Sequence, residues 1–196
     1  MQKTLKERLD NIPSEFKPLK DFVERYSDKQ FHIDSLDTIQ LVKNPHFDMG
    51  YFIKLFAPAK QSFFDIYKSR YDSSIPSMLI EFLMFSNGFH FCDFSIFGLT
   101  PSMYNSTTGL LDHSIVQPFD IGTANEFWKL EYDRNDFHFG GRDYNDETNC
   151  GYFFDNGLIT CCLTDGKVIN TWSSFMEFLN DELTTVEEKE TSLNNG

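Results

Sequence analysis

The chain has 196 residues, 17 of them basic and 30 acidic, for a net charge of −13. That length fits one domain whose core needs no disulfide or metal to hold it, and the charge argues against direct contact with nucleic acid or an anionic membrane, since both call for cationic surface. No stretch approaches the roughly 18 uninterrupted apolar residues of a membrane span, and no apolar run follows the charged start Met1–Arg8, so no secretory leader is expected and Cys92, Cys150, Cys161 and Cys162 are expected reduced in a cytoplasm.

Leu5, Leu9 and Ile12 recur at helical spacing and predict a short first helix, broken by Pro13. Phe16, Leu19, Phe22, Val23 and Tyr26 outline one face of a second helix starting near Ser14. Between residues 30 and 57, Phe31 and Ile33 alternate with polar residues and Ile39-Gln40-Leu41-Val42 is β-like, so a pair of short strands is expected there. Pro58 precedes a helix carrying Phe63, Phe64, Ile66, Tyr67 and Tyr71. The segment 74–88 is the best-marked helix: Ser74 is placed to cap it, Pro76 to start it and Asn87-Gly88 to stop it, with Met78, Leu79, Phe82, Leu83 and Phe85 as its apolar face.

Phe89 to Phe97 alternates and reads as a strand or tight hairpin. Thr123 and Glu126 have the spacing of a capping box and predict a helix from there to about Asp133. Phe137-His138-Phe139 is a strand that Gly140-Gly141 is expected to halt, leaving 140–150 as a polar loop. A three-stranded meander then fills 151–172, with turns at Asn156-Gly157 and Asp165-Gly166. Ser174 and Glu177 form another capping box and open a last helix carrying Phe175, Phe178 and Leu179. Helices, an antiparallel meander and a closing helix define an α+β class.

No spacing in this sequence calls for catalysis. A phosphate-binding glycine loop and a nucleophile elbow are both missing. The five histidines lack the helical pairing of a metal site, and the adjacent Cys161-Cys162 point to opposite faces of a strand, one expected in the core and one at the surface. Asp143, Asn145 and Glu147 alternate as in a calcium loop, but Thr148 and Phe154 occupy the places of its glycine and its bidentate glutamate. His138, between two Phe, reads as structural. No cofactor or metal is expected.

The charge itself is uneven. Residues 1–100 are nearly balanced, whereas residues 101–196 carry 17 acidic against 5 basic residues. Residues 120–147 hold eight of those acids, which mark either a solvated face or a docking surface for a basic protein. The candidate contacts are Glu131, Asp133, Asp136, Asp143, Asp146 and Glu147, with Trp128 and Tyr144 as aromatic anchors.

Several of these motifs together resemble one family. Ile75-Pro76-Ser77, Phe82-Leu83 and Asn87-Gly88 are followed in order by Ile96-Phe97-Gly98-Leu99, Phe139-Gly140-Gly141, Gly151-Tyr152-Phe153 and Trp172-Ser173-Ser174-Phe175 with Phe178-Leu179. The set resembles the Smi/Knr (SUKH) superfamily over roughly residues 60–183. The resemblance implies a central antiparallel sheet flanked by helices, no enzymatic activity, and, for bacterial members, immunity proteins that neutralise toxins, often nucleases. It carries over no active-site residue. The expectation is therefore one SUKH-like domain over 1–183, with a family-like core at 60–183, an N-terminal helical extension at 1–59 and a flexible acidic tail at 184–196. The expected role is a cytoplasmic antitoxin or immunity protein with a basic toxin as partner, the alternatives being a regulatory scaffold of the kind that controls cell-wall synthesis and, remotely, a metal-dependent hydrolase using the 133–147 carboxylates.

Overall fold

The computed structural model describes residues 3–28, 31–34, 37–43, 51–100, 118–132, 136–145 and 148–194. Helix α1 (Lys3–Asp10) buries Leu5 and Leu9, four residues apart. Pro13 ends that run, and a single 3-10 turn (Ser14–Phe16) leads into α2 (Lys17–Arg25), which buries Leu19, Phe22 and Val23. Three strands follow where two were expected: β1 (Phe31–Ile33), β2 (Ile39–Lys43) and β3 (Tyr51–Leu55). Then come α3 (Gln61–Arg70), α4 (Ser77–Phe85) and the tight hairpin of β4 (Phe89–Phe91) and β5 (Phe94–Ile96). Helix α5 (Ile121–Tyr132) precedes β6 (Phe137–Asn145), β7 (Thr148–Asp155), β8 (Leu158–Leu163) and β9 (Val168–Trp172), and α6 (Phe175–Asn194) closes the described chain.

Among the described residues, nine strands form one antiparallel sheet whose spatial order is the order of the chain. The fold is thus α+β, with helices inserted between neighbouring strands. Because side chains alternate across a strand, the cross-strand rows sort into two faces. Ile39, Leu55, Phe89 and Ile96 form one apolar row, and Leu41, Ile53, Phe91 and Phe94 form another. These rows make the front face, on which α2, α4 and α6 pack. Phe22 of α2 meets Phe89 and Phe91, and Phe82 of α4 meets Phe16 and Phe175. Phe178 of α6 sits among the rings of Phe94, Phe139, Tyr152, Trp172 and Phe175, with centroids 4.9–6.1 Å apart.

Several local expectations are corrected. The α4 N-cap is Pro76, with Ser74 outside the helix. Asn87 does more than stop α4, because its side chain bonds both backbone groups of Leu99, at 2.7 and 2.8 Å. The cap of α5 is Asp120, whose carboxylate accepts the Thr123 N–H at 2.7 Å and the Thr123 hydroxyl at 2.8 Å; the expected box at Thr123 and Glu126 lies one turn too late. Gly140-Gly141 does not halt β6. A Cβ on Gly140 would lie 2.5 Å from the Ser95 carbonyl oxygen, so glycine here lets β5 and β6 approach while the strand continues to Asn145. The expected loop at 140–150 is therefore the end of β6 and the start of β7, apart from 146–147, which lie outside the described residues. Asn156-Gly157 does form the β7–β8 turn, with φ of +49° and +85°. The second meander turn, at Asp165-Gly166, is longer and carries a bulge near Cys161-Cys162.

Residues 1–59, expected as a helical extension within the 1–183 domain, supply three of the described strands as well as Leu5, Leu9, Phe16, Leu19, Phe22 and Val23 of the core. After Glu182 the chain stays helical: Val186 is buried, and Glu187 and Lys189 are ion-paired. Cys161 lies in the main core as expected, but Cys162 is equally buried, against Phe153 on the opposite face.

Truncating Phe178 to Ala should cost about 3–5 kcal/mol, since it empties the centre of this aromatic cluster. Met176→Ala, at a position 49% exposed, should change stability by less than about 0.5 kcal/mol. Urea unfolding of both variants checks the pair.

Candidate functional site

The predicted acidic contacts do not form one patch among the described residues. Asp136 immediately precedes β6 and is half-buried, whereas Asp143 and Tyr144 lie at the far end of that strand and are exposed. At about 3.3 Å per residue the two ends stand roughly 20 Å apart. Trp128 and Glu131 lie on α5, but their side chains are outside the described residues, as are Asp133, Asp146 and Glu147 entirely. The carboxylates that a hydrolase reading needs are thus not gathered, as far as Asp136 and Asp143 show. Among the described residues no group of three or more His, Cys, Asp or Glu is placed to hold a metal ion.

The end of β6 does assemble a surface. The pairing with β7 shifts between Asp143 and Asn145, so Tyr144 is the extra residue of a bulge and is 44% exposed. Bulges re-aim side chains at strand ends. Asp143 and Tyr144 therefore present a carboxylate and an aromatic ring side by side at the tip of the β6–β7 hairpin.

Directly behind this tip is a buried polar assembly. Arg142 of β6 donates from Nε to Glu182 Oε2 of α6 at 2.5 Å, and the Tyr152 hydroxyl donates to the same oxygen at 2.5 Å. The side chains of Arg142 and Glu182 are 11% and 3% exposed. Burial opposes the Arg142 charge, but the hydrogen bond and the charge of Glu182 outweigh it and hold the guanidinium pKa above its ordinary value. Burial and the neighbouring Glu182 carboxylate raise the Tyr152 phenol in turn. Cys150, paired with Arg142 across β6 and β7, shares a hydrogen bond with Cys161; that bond and burial push the Cys161 thiol well up. Arg142 also donates to the Asp143 carbonyl at 3.2 Å, which ties the exposed tip to the buried ion pair.

A second polar assembly lies on the back face of the sheet. Gln40, Lys54, His90 and Ser95 are cross-strand partners in sequence, one on each of β2 to β5. His90 Nδ1 and Ser95 Oγ are hydrogen-bonded at 2.9 Å. Burial first, and then the Lys54 charge, push the His90 pKa down to about 4. His138, on the same face, is also pushed down to about 4 by burial. Its Nε2 donates to the Gly140 carbonyl at 2.9 Å and its ring stacks on Phe153, with centroids 4.5 Å apart. This agrees with the structural reading of His138.

Neither assembly was singled out from sequence. Glu182 had a signal: it falls on the apolar stripe Phe175, Phe178, Leu179, Leu183 and Val186, where a carboxylate needs an internal partner. The back-face row had none, because its register depends on strands far apart in the chain. No family model, curated protein or solved structure matches this chain.

Both histidines make stability depend on pH. The unfolded chain takes up these protons near pH 6.5, while the folded protein resists them until about pH 4. Stability from this source is therefore complete above about pH 6.5 and is lost on acidification towards 4, by up to about 3 kcal/mol for each histidine. Urea unfolding at pH 7 and at about pH 5 should show the loss, and His138→Gln should lose less between the two.

Proposed function

We propose that the chain is a non-enzymatic protein-binding module, an immunity protein or antitoxin of the SUKH-like kind, that docks a basic toxin through its acidic second half. The observation that carries the reading is the exposed Asp143–Tyr144 pair at the tip of β6–β7, in a half of the chain with 17 acidic and 5 basic residues. A half-exposed tyrosine beside a carboxylate is the combination that anchors interfaces while steering a cationic partner. A nuclease is the toxin this fits best, since its phosphate-binding surface must be basic. The buried Arg142–Glu182 pair supports the reading from below, because it holds the strand that carries the tip and spares that tip an ordering cost on binding.

The test is calorimetry against the protein encoded by the adjoining gene, which this reading expects to be basic. Tyr144→Ala combined with Asp143→Asn should weaken binding by about 10- to 100-fold. Affinity should also fall as salt is raised. Binding that ignores both the double variant and the salt would remove the reading.

A further inference from the structure

Helix α4 is apolar around nearly its whole circumference. Leu79, Phe82 and Leu83 are buried, Met78, Ile80 and Phe85 are half-buried, and Met84 is 60% exposed; Glu81 is its one charged residue. A helix apolar on all sides belongs in a buried setting. The Met84–Phe85 end of α4 instead opens into a groove of about 440 Å³, bounded by α1 and by the links that carry Pro13 and Pro58. Glu7 of α1 and Glu81 of α4 line it and are both exposed. Arg8 forms one wall, its guanidinium 6.0 Å from the centre of the Phe85 ring.

We infer that this groove receives a helical segment of a partner protein that carries a bulky apolar side chain one turn from a lysine or arginine. Three observations choose that occupant. Glu81 lies three and four residues before Met84 and Phe85, so the carboxylate and the apolar pair share one face of α4 a turn apart. A matching helix needs its cation and its hydrophobe at the same spacing. The cation already in the groove does not take that role. Arg8 is turned into the fold, donating to the carbonyls of Asp37 at 3.0 Å and Phe56 at 2.6 Å, and the acid that offsets its burial is Asp37. The chain's net charge of −13 adds the same sign at long range, which disfavours an acidic segment and a second copy of this chain alike. Met84 suits the contact, because a flexible thioether adapts to the shape of an incoming side chain. The groove shares no residue with the Asp143–Tyr144 tip, so the inference stands apart from the toxin reading.

The probe is a synthetic amphipathic helix of leucine and lysine, titrated at constant ionic strength and followed through the Met84 methyl signal by NMR. Saturable binding at micromolar concentration is expected, with that signal shifting. Met84→Ser and Glu81→Lys change exposed positions and should leave the fold intact, yet each should weaken binding at least about 10-fold. The protein carrying Asp143→Asn and Tyr144→Ala should retain it. Control peptides of leucine with glutamate, or of serine with lysine, should not move the signal. The inference is overturned if the leucine–lysine peptide leaves the Met84 methyl unmoved, if either control moves it equally, or if both groove variants bind as before. Sedimentation showing that the chain dimerises through Met84 without any peptide would overturn it too.

Discussion

Glu182 is 2% exposed, on the apolar stripe of the closing helix, and a carboxylate there costs several kcal/mol unless its oxygens are received. Arg142 and Tyr152 receive one of those oxygens from two different strands of the sheet. Only one axial position of α6 puts Glu182 over that pair, so the ion pair fixes the helix along its axis together with the Phe178 ring cluster. The rest of α6 follows from it. Asp181 meets the Trp172 ring N–H at 2.8 Å and Asn170 at 3.1 Å on β9, Glu187 meets Arg25 and Tyr26 at 2.7 Å on and just after α2, and Lys189 meets Asp93 between β4 and β5. The helix therefore runs from the last strand to the first half of the sheet.

Most of the local grammar was legible. Proline, Asn-Gly and alternating aromatics act through neighbouring residues, so α1, α2, α4, the β4–β5 hairpin and the meander of β7 to β9 could be read off in order. The misreadings share a cause. Gly140-Gly141 reads as a breaker when only its own strand is considered, but its purpose is set by the Ser95 carbonyl on a strand 45 residues earlier. Asp120 was passed over as a cap because it also binds the backbone and hydroxyl of Thr100, at 3.3 and 2.7 Å, a contact between segments 20 residues apart. The polar tail looked frayed because Glu187 and Lys189 have partners only once α2 and the β4–β5 turn are in place. Of the candidate site, charge and the exposed tyrosine were visible in composition. The spacing between Asp136 and Asp143 was not, because it depends on β6 being a continuous strand.

The two faces of the sheet divide the chemistry. On the front, rows of Leu, Ile and Phe exclude water around the Arg142–Glu182 ion pair, and there the charges serve to position helix and strand. On the back, the same strands carry Gln40, Lys54, His90 and Ser95, paired across the sheet, with Gln40 and Ser95 buried and Lys54 and His90 partly exposed. The alternation of single strands produces both surfaces at once, so a one-residue slip in β3 or β4 would put a lysine or histidine into the aromatic core. The apolar rows thus hold the polar row in register: the packing that stabilises the fold also keeps Lys54 beside His90.

The same reasoning applies at the hairpin tip. A negative surface attracts a basic protein at long range, but attraction alone does not choose an orientation. Orientation needs a fixed contact, and Tyr144 gains one from its place in a bulge next to Asp143, whose carbonyl is held by Arg142. Arg142 is in turn fixed by the Glu182 carboxylate. A partner docking at the tip therefore meets a strand end anchored two bonds deep in the core, and loosening Glu182 would blur the recognition surface without touching any residue in it.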